Sequence, residues 1–212
     1  MGQRAHHWNR LYETSDTDRV SWFQSDPAPS LRAIALCGSR SLSVIDIGGG
    51  ASRLAGALLD QRRHDVTVLD ISKRALALAR VRLGEEGRRV AWIAKDITRW
   101  QPHRQWDIWH DRAVFHFLTE DQDRQAYVQA LHQAVPKGGH VILASFAPEG
   151  PETCSGLPVR RYTPEGLQAE LGEGYDLMHS WAETHATPAG NMQAFTWCVF
   201  QKTLTGRFDR PV

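Results

Sequence analysis

At 212 residues, 42% of them hydrophobic, the chain is long enough for one substantial core and too short for two ordinary domains, so it reads as a single domain over 1–212. Its 25 Lys and Arg nearly cancel 24 Asp and Glu, and a net charge of +1 supplies no field that would draw in nucleic acid or an anionic membrane. No apolar run approaches the ~20 residues that cross a bilayer, and the polar, aromatic start has no signal-like apolar stretch, which points to a cytoplasmic protein.

In chain order, 1–40 carries Trp8, Tyr12, Trp22 and Phe23 on helical stretches without a strand, and reads as a helical lid over a core spanning 41–204. The runs 42–47, 66–69, 90–93, 106–109 and 140–145 are short and rich in Val, Ile and Trp, as strands are. Between them Leu54, Ala55, Leu58 and Leu59 recur at helical spacing, as do Leu76, Ala79 and Leu83, and then Tyr127, Leu131 and Val135. Thr119 with Gln122 reads as a capping box opening the last of these helices. Strands alternating with helices make βαβ units, hence a doubly wound α/β fold around a parallel sheet. The Pro/Gly-rich stretch 147–158 reads as a long active-site loop, and Thr163-Pro164 opens a further helix through Leu171. Apolar stretches at 175–181 and 195–201 then add an antiparallel pair at the sheet's edge. No heptad run or exposed apolar stripe marks an interface, so monomer and homodimer both stay open.

Cys37, Cys154 and Cys198 stand far apart without CxxC spacing, which argues against a disulfide framework and a zinc site, and no metal is expected. The segment Val44-Ile45-Asp46-Ile47-Gly48-Gly49-Gly50-Ala51-Ser52 is an apolar strand running into three glycines and a helix. Glycine lets a ligand approach main-chain N–H groups, and the helix start behind it offers free donors to an anion. A dinucleotide fingerprint counted from Gly48 finds Gly50 in place but Arg53 where its third glycine belongs. Asp46 also sets a negative charge where a pyrophosphate would gather, whereas a ligand with a cationic amino group would be attracted. About 20 residues further on, Asp70 ends the second strand where ribose hydroxyls are bound in such folds. Asp96 with Ile97 follows the third strand, where a carboxylate and an apolar neighbour suit an adenine ring.

On these residues the sequence resembles the class I S-adenosylmethionine (SAM)-dependent methyltransferase family over roughly 41–202, Asp46-x-Gly48-x-Gly50 matching its glycine-rich motif. The resemblance implies SAM as cofactor, with Asp46, Gly48, Gly49 and Gly50 at its methionine portion, Asp70 at the ribose, Asp96 and Ile97 at the adenine, and Ile71 as a further cofactor contact. It also implies seven strands in the order 3-2-1-4-5-7-6 with strand 7 antiparallel and helices on both faces. The early segments at 7–12 and 20–24 are similar to the lids of small-molecule and lysine methyltransferases, and no Asn-Pro-Pro-Tyr or Asp-Pro-Pro-Tyr motif for nucleobase or glutamine acceptors is present. The acceptor implied is a small molecule or an amino-acid side chain, with no nucleic acid and no membrane partner. Two other functions stay open: an NAD-dependent oxidoreductase and a SAM-binding module that methylates nothing.

Methyl transfer from a sulfonium is chiefly a matter of alignment, and the residues expected just past the fourth strand are candidates for moving a proton. Asp111 and His116 are the first choices as catalytic groups, Asp111 also as a cofactor contact, although His116 between Phe115 and Phe117 suits simple burial equally. Tyr12, Trp22, Arg112 and Tyr162 are candidate substrate or lid residues; Trp22 suits either packing or cation–π attraction to a sulfonium, and Arg112 either an internal ion pair or an acidic substrate.

Overall fold

The computed structural model describes residues 2–38, 41–63 and 65–204; the first residue and the last eight of the expected 1–212 domain lie outside the described residues. Strand β1 (Val44–Ile47) is buried along its whole length, as is β2 (Val66–Asp70), because helices cover both faces of a parallel sheet. With β3 (Val90–Ala94), β4 (Ile108–Arg112), β5 (His140–Phe146), β6 (Tyr175–Ala186) and β7 (Met192–Lys202) they form one seven-stranded sheet. Its order is β3-β2-β1-β4-β5-β7-β6, with β7 antiparallel to both neighbours, as the resemblance implied. The order reverses between β1 and β4, and that switch point opens a crevice at the strands' carboxyl ends.

Helices α1 (Gln3–Thr14) and α2 (Ala28–Leu36) precede the sheet, and α3 (Leu54–Asp60), α4 (Lys73–Leu83), α5 (Asp121–Ala134) and α6 (Pro164–Leu171) pack on it. The apolar stripes lie where their spacing put them: α3 buries Leu54, Ala55, Leu58 and Leu59 with Val44, Ile108 and Trp197 on one face. Helix α5 buries Tyr127 and Leu131 with Ile45, Trp109 and Val141 on the other. Ser72 caps α4, its Oγ accepting from the Ala75 N–H at 3.1 Å, and Thr163 caps α6 in the same way at Gly166.

The expected ends of several elements are corrected. The fourth strand runs over Ile108–Arg112, not 106–109: pairing with β1 begins at Val44 opposite Ile108, while the Trp106 N–H goes to the Ala134 carbonyl. His110, Asp111 and Arg112 therefore sit within the strand and not beyond it. The Thr119 capping box does not form; α5 starts at Asp121 after Glu120, and the Thr119 carbonyl accepts from Arg124 Nη1 at 2.7 Å. The 147–158 loop holds a small antiparallel ladder, Thr153–Cys154 against Leu157–Pro158. Strands β6 and β7 extend past their apolar stretches until Ala186 pairs with Met192, carrying Gln193 and Phe195 beside the crevice. Among the described residues no helix is long and apolar enough to cross a membrane, and the three cysteines are buried and unpaired.

Candidate active site

The turn after β1 leaves no room for side chains. Gly48 has φ +66°, and a Cβ there would run into the Val114 side chain. A Cβ on Gly49 would strike Asp46 Oδ2, and one on Gly50 would lie 2.8 Å from Asp70 Oδ2. Bare backbone is thus enforced between Asp46 and Asp70. Asp46 itself is buried, and its Oδ1 lies 2.8 Å from Nδ1 of His110, its register partner on β4. Both line a small cavity of about 60 Å³ beside Gly48, Gly49 and Ser52.

A larger cavity of about 310 Å³ opens over the switch point. On one side it is lined by Gly48, Leu69, Asp70, Ile71, Asp96 and Ile97, the ends of β1, β2 and β3. Asp70 Oδ1 accepts from the Ser72 N–H at 2.6 Å. Burial pushes its carboxyl up to about 7; the Ser72 and Gly50 N–H groups oppose the rise and the Asp46 charge adds to it. Asp96 Oδ1 accepts from the Thr98 N–H and hydroxyl at 3.0 and 2.8 Å, which fixes its carboxylate as the N-cap of the one-turn helix Ile97–Arg99. On the other side the walls are Phe146 from β5, Phe195 and Gln193 from β7, and Cys154, Leu157 and Pro158 from the small ladder. None of these six was singled out in the sequence as a site residue, since only the β5-β7 pairing and the packing of the small ladder bring them together.

The end of β4 separates three expected residues. Asp111 is fully buried on the face opposite Asp46 and lines neither cavity. Its Oδ1 accepts from the Val114 N–H at 2.9 Å, and its Oδ2 from the Phe115 N–H at 3.1 Å and the Tyr127 hydroxyl at 2.6 Å. Burial drives its carboxyl up to about 7 against Tyr127, Val114 and His110, which pull it down. His116 also lines neither cavity; it packs on Phe117 and Phe146, and burial, helped by the Arg112 charge, pushes its imidazole down to about 3, so it is neutral in ordinary conditions. Arg112 does reach both cavities, and its Nη1 donates to the Trp22 carbonyl at 2.9 Å.

The N-terminal helices cover this crevice. Asn9 Oδ1 accepts from Ser72 Oγ and the Arg74 N–H at 2.9 and 3.1 Å, fastening α1 to the start of α4. Arg4 pairs with Asp123 on α5, and His185 Nε2 lies 2.9 Å from the Ser21 carbonyl. Tyr12 and Trp22 line both cavities, with Trp8 edge-on between Trp22 and Phe117. Tyr162 is absent from both: it is buried against Phe115, its hydroxyl 3.3 Å from Glu170 Oε1.

A mostly parallel seven-stranded sheet whose last strand is reversed opens at the β1/β4 switch point under a glycine turn, the place where open α/β sheets bind their ligands. Residues 44–139 match the family model described as a methyltransferase domain. Among solved structures it is similar to a SAM-dependent methyltransferase from Anabaena variabilis, at 17% identity and a TM-score of 0.74, covering 94% of this chain and 93% of that one. A structure described as the conversion of a disulfide bond into a thioacetal group during echinomycin biosynthesis aligns at 18% identity and TM-score 0.75, over 96% and 95% of the two chains. A glycopeptide N-methyltransferase complexed with sinefungin aligns at 15% identity and TM-score 0.66, over 86% and 96%.

Proposed function

We propose that this chain transfers the methyl group of SAM to a small-molecule acceptor bound beneath its N-terminal lid, the whole of 1–212 acting as one domain with 1–40 as lid and 41–204 as core. The observation that carries the reading is the bare glycine turn between Asp46 and Asp70, whose missing side chains let a ligand approach the main chain where Gly48 lines a nucleoside-sized cavity. Gly48, Gly49 and Gly50 with Asp46 hold the methionine portion, Asp70 accepts from the ribose hydroxyls, and Asp96 accepts from the adenine amine while Ile71 and Ile97 cover the ring. Bound SAM supplies an electrophilic methyl carbon: the acceptor's lone pair forms the new bond as the carbon–sulfur bond breaks, leaving S-adenosylhomocysteine.

This chain's own part is alignment and exclusion of water. On the acceptor side the cavity offers Arg112, Cys154 and Gln193, and burial raises the Cys154 thiol, so no side chain there is a base at neutral pH. The acceptor therefore enters with its nucleophilic lone pair already available. Asp111 acts by fixing the turn that carries Val114 and Phe117 into the cavity, and His116 by packing behind it. A closed lid favours a small molecule over a side chain of a folded protein.

Parallel calorimetric titrations with SAM, S-adenosylhomocysteine and NAD test the reading. Saturable binding of the first two alone is expected; binding of NAD alone would return the glycine turn to a dinucleotide. Formation of S-adenosylhomocysteine from SAM in an acceptor screen is expected of an enzyme, and its absence across acceptor classes would leave a SAM-binding module.

A further inference from the structure

Arg112 carries a charge that the methyl-donor assignment does not use. Its Nη1 is taken by the Trp22 carbonyl, but Nε and Nη2 are shut off from solvent and meet no acceptor. The carboxylates whose charge reaches it are engaged elsewhere: Glu183 accepts from Trp197 Nε1 and Gln24 Nε2, and Asp46 from His110. Buried donors of a cation are costly when unpaired, and Nε with Nη2 is the side of a guanidinium whose parallel N–H groups match the two oxygens of a carboxylate.

The position of the group says whose carboxylate it suits. Arg112 Cζ lies 5.0 Å from the centre of the Phe195 ring on β7, on the side of the switch point away from Asp70 and Asp96. There it shares the large cavity with Phe146, Phe195, Leu157 and Pro158, an apolar surround broken by the Gln193 amide. We propose that the Arg112 side chain, which lines the cavity, turns its unpartnered Nε and Nη2 onto the carboxylate of the methyl acceptor as that acceptor binds, so that the acceptor is a small organic acid with an apolar body. The anion anchors the acceptor and is not the atom methylated. The assignment rests on the reading that the donor lies over β1 to β3, and since SAM has a carboxylate of its own, the test must tell the two sources apart.

Two comparisons on wild type and Arg112→Met do so. In the first, protein saturated with S-adenosylhomocysteine is titrated with benzoate, phenylacetate and 3-phenylpropionate and with the primary amide of each, read by the fluorescence of Trp8 and Trp22, which line the cavity. Wild type is expected to bind the best acid about tenfold more tightly than its amide, and Arg112→Met to show no preference. In the second, the affinity ratio of SAM to decarboxylated SAM is measured on both proteins; it is expected to be the same, which also cancels any loosening of the lid. No acid preference in wild type, or a collapse of the SAM ratio in the variant, overturns the proposal. If Arg112→Met does not fold, Arg112→Lys keeps the charge without the fork, and an acid preference equal to wild type would overturn it. Failure of wild type to bind SAM at all sinks the donor reading instead, and the acid and amide titrations repeated without S-adenosylhomocysteine still decide Arg112.

Discussion

At the scale of single residues, the groups that the sequence offered as proton carriers are the ones the fold has used for itself. His116 looked like a base because it follows a strand end, and the aromatic neighbours that suited burial equally do bury it. Its Nδ1 accepts from the Phe146 N–H at 3.4 Å, and the two rings pack tilted with centroids 4.4 Å apart. His116→Ala is expected to cost about 2–4 kcal/mol of stability, the range for emptying a large buried site, while leaving SAM affinity and turnover per folded molecule unchanged. Urea unfolding with SAM titration and initial rates checks it; a loss of turnover larger than the loss of folded protein would restore the histidine to the chemistry. Asp46, Asp70 and Asp96 could be placed beside the crevice from sequence because each lies in or just after a strand whose position the hydrophobic pattern marks. Arg112 was legible only as a charge needing a partner, because its surroundings come from strands over 30 residues away, beyond the reach of local pattern.

At the scale of elements, strand cores were readable and strand ends were not. A strand buried on both faces shows a continuous apolar run, and β4 breaks that rule: His110 pairs with Asp46 on one face and Asp111 with Tyr127 on the other, so its polar half looked like loop. The tips of β6 and β7 were missed for the opposite reason, since an edge hairpin half open to solvent carries polar residues throughout. The glycine turn was the most legible element because packing alone rarely calls for three successive glycines. Two glycines with similar φ separate strain from space: Gly48 at +66° faces Val114, and Gly84 at +56°, which ends α4, has nothing within 4 Å. Alanine at either is expected to cost about 1 kcal/mol of backbone strain, but only Gly48→Ala must also displace Val114 from the cavity wall. Gly48→Ala should therefore weaken SAM binding by more than about tenfold, the ratio that 1.4 kcal/mol commands, and Gly84→Ala should leave it intact. Equal SAM affinities of the two variants in calorimetry would mean that the turn does not touch the donor.

At the scale of the whole molecule, the buried acids and the buried histidines set opposing pH dependences of stability. Asp70 and Asp111, both raised to about 7 by burial, take up protons in the folded state at a pH where the unfolded chain, near 3.9, does not. Their contribution is fully present below the unfolded value and is lost as pH rises through about 7. His116 and His132, pushed down to about 3 and about 4, and His140 and His185, also lowered by burial, refuse protons that the unfolded chain accepts near 6.5; their contribution is lost as pH falls from there. Between about pH 4 and 6.5 the two sets partly cancel, so the acids blunt an acid lability that the histidines alone would impose. Asp70→Asn removes one of the blunting groups without removing a side chain's volume. The variant should be more stable than wild type at pH 8, where the buried carboxylate is charged. Its margin should then shrink on acidification by up to about 1.4 kcal/mol per pH unit, the value of one proton, between pH 7 and pH 4. Urea unfolding of both proteins without ligand at pH 8, 6.5 and 5 measures the margin. A margin that does not change with pH would mean that Asp70 is ionised in the folded protein throughout, and so already charged for the ribose hydroxyls before SAM arrives.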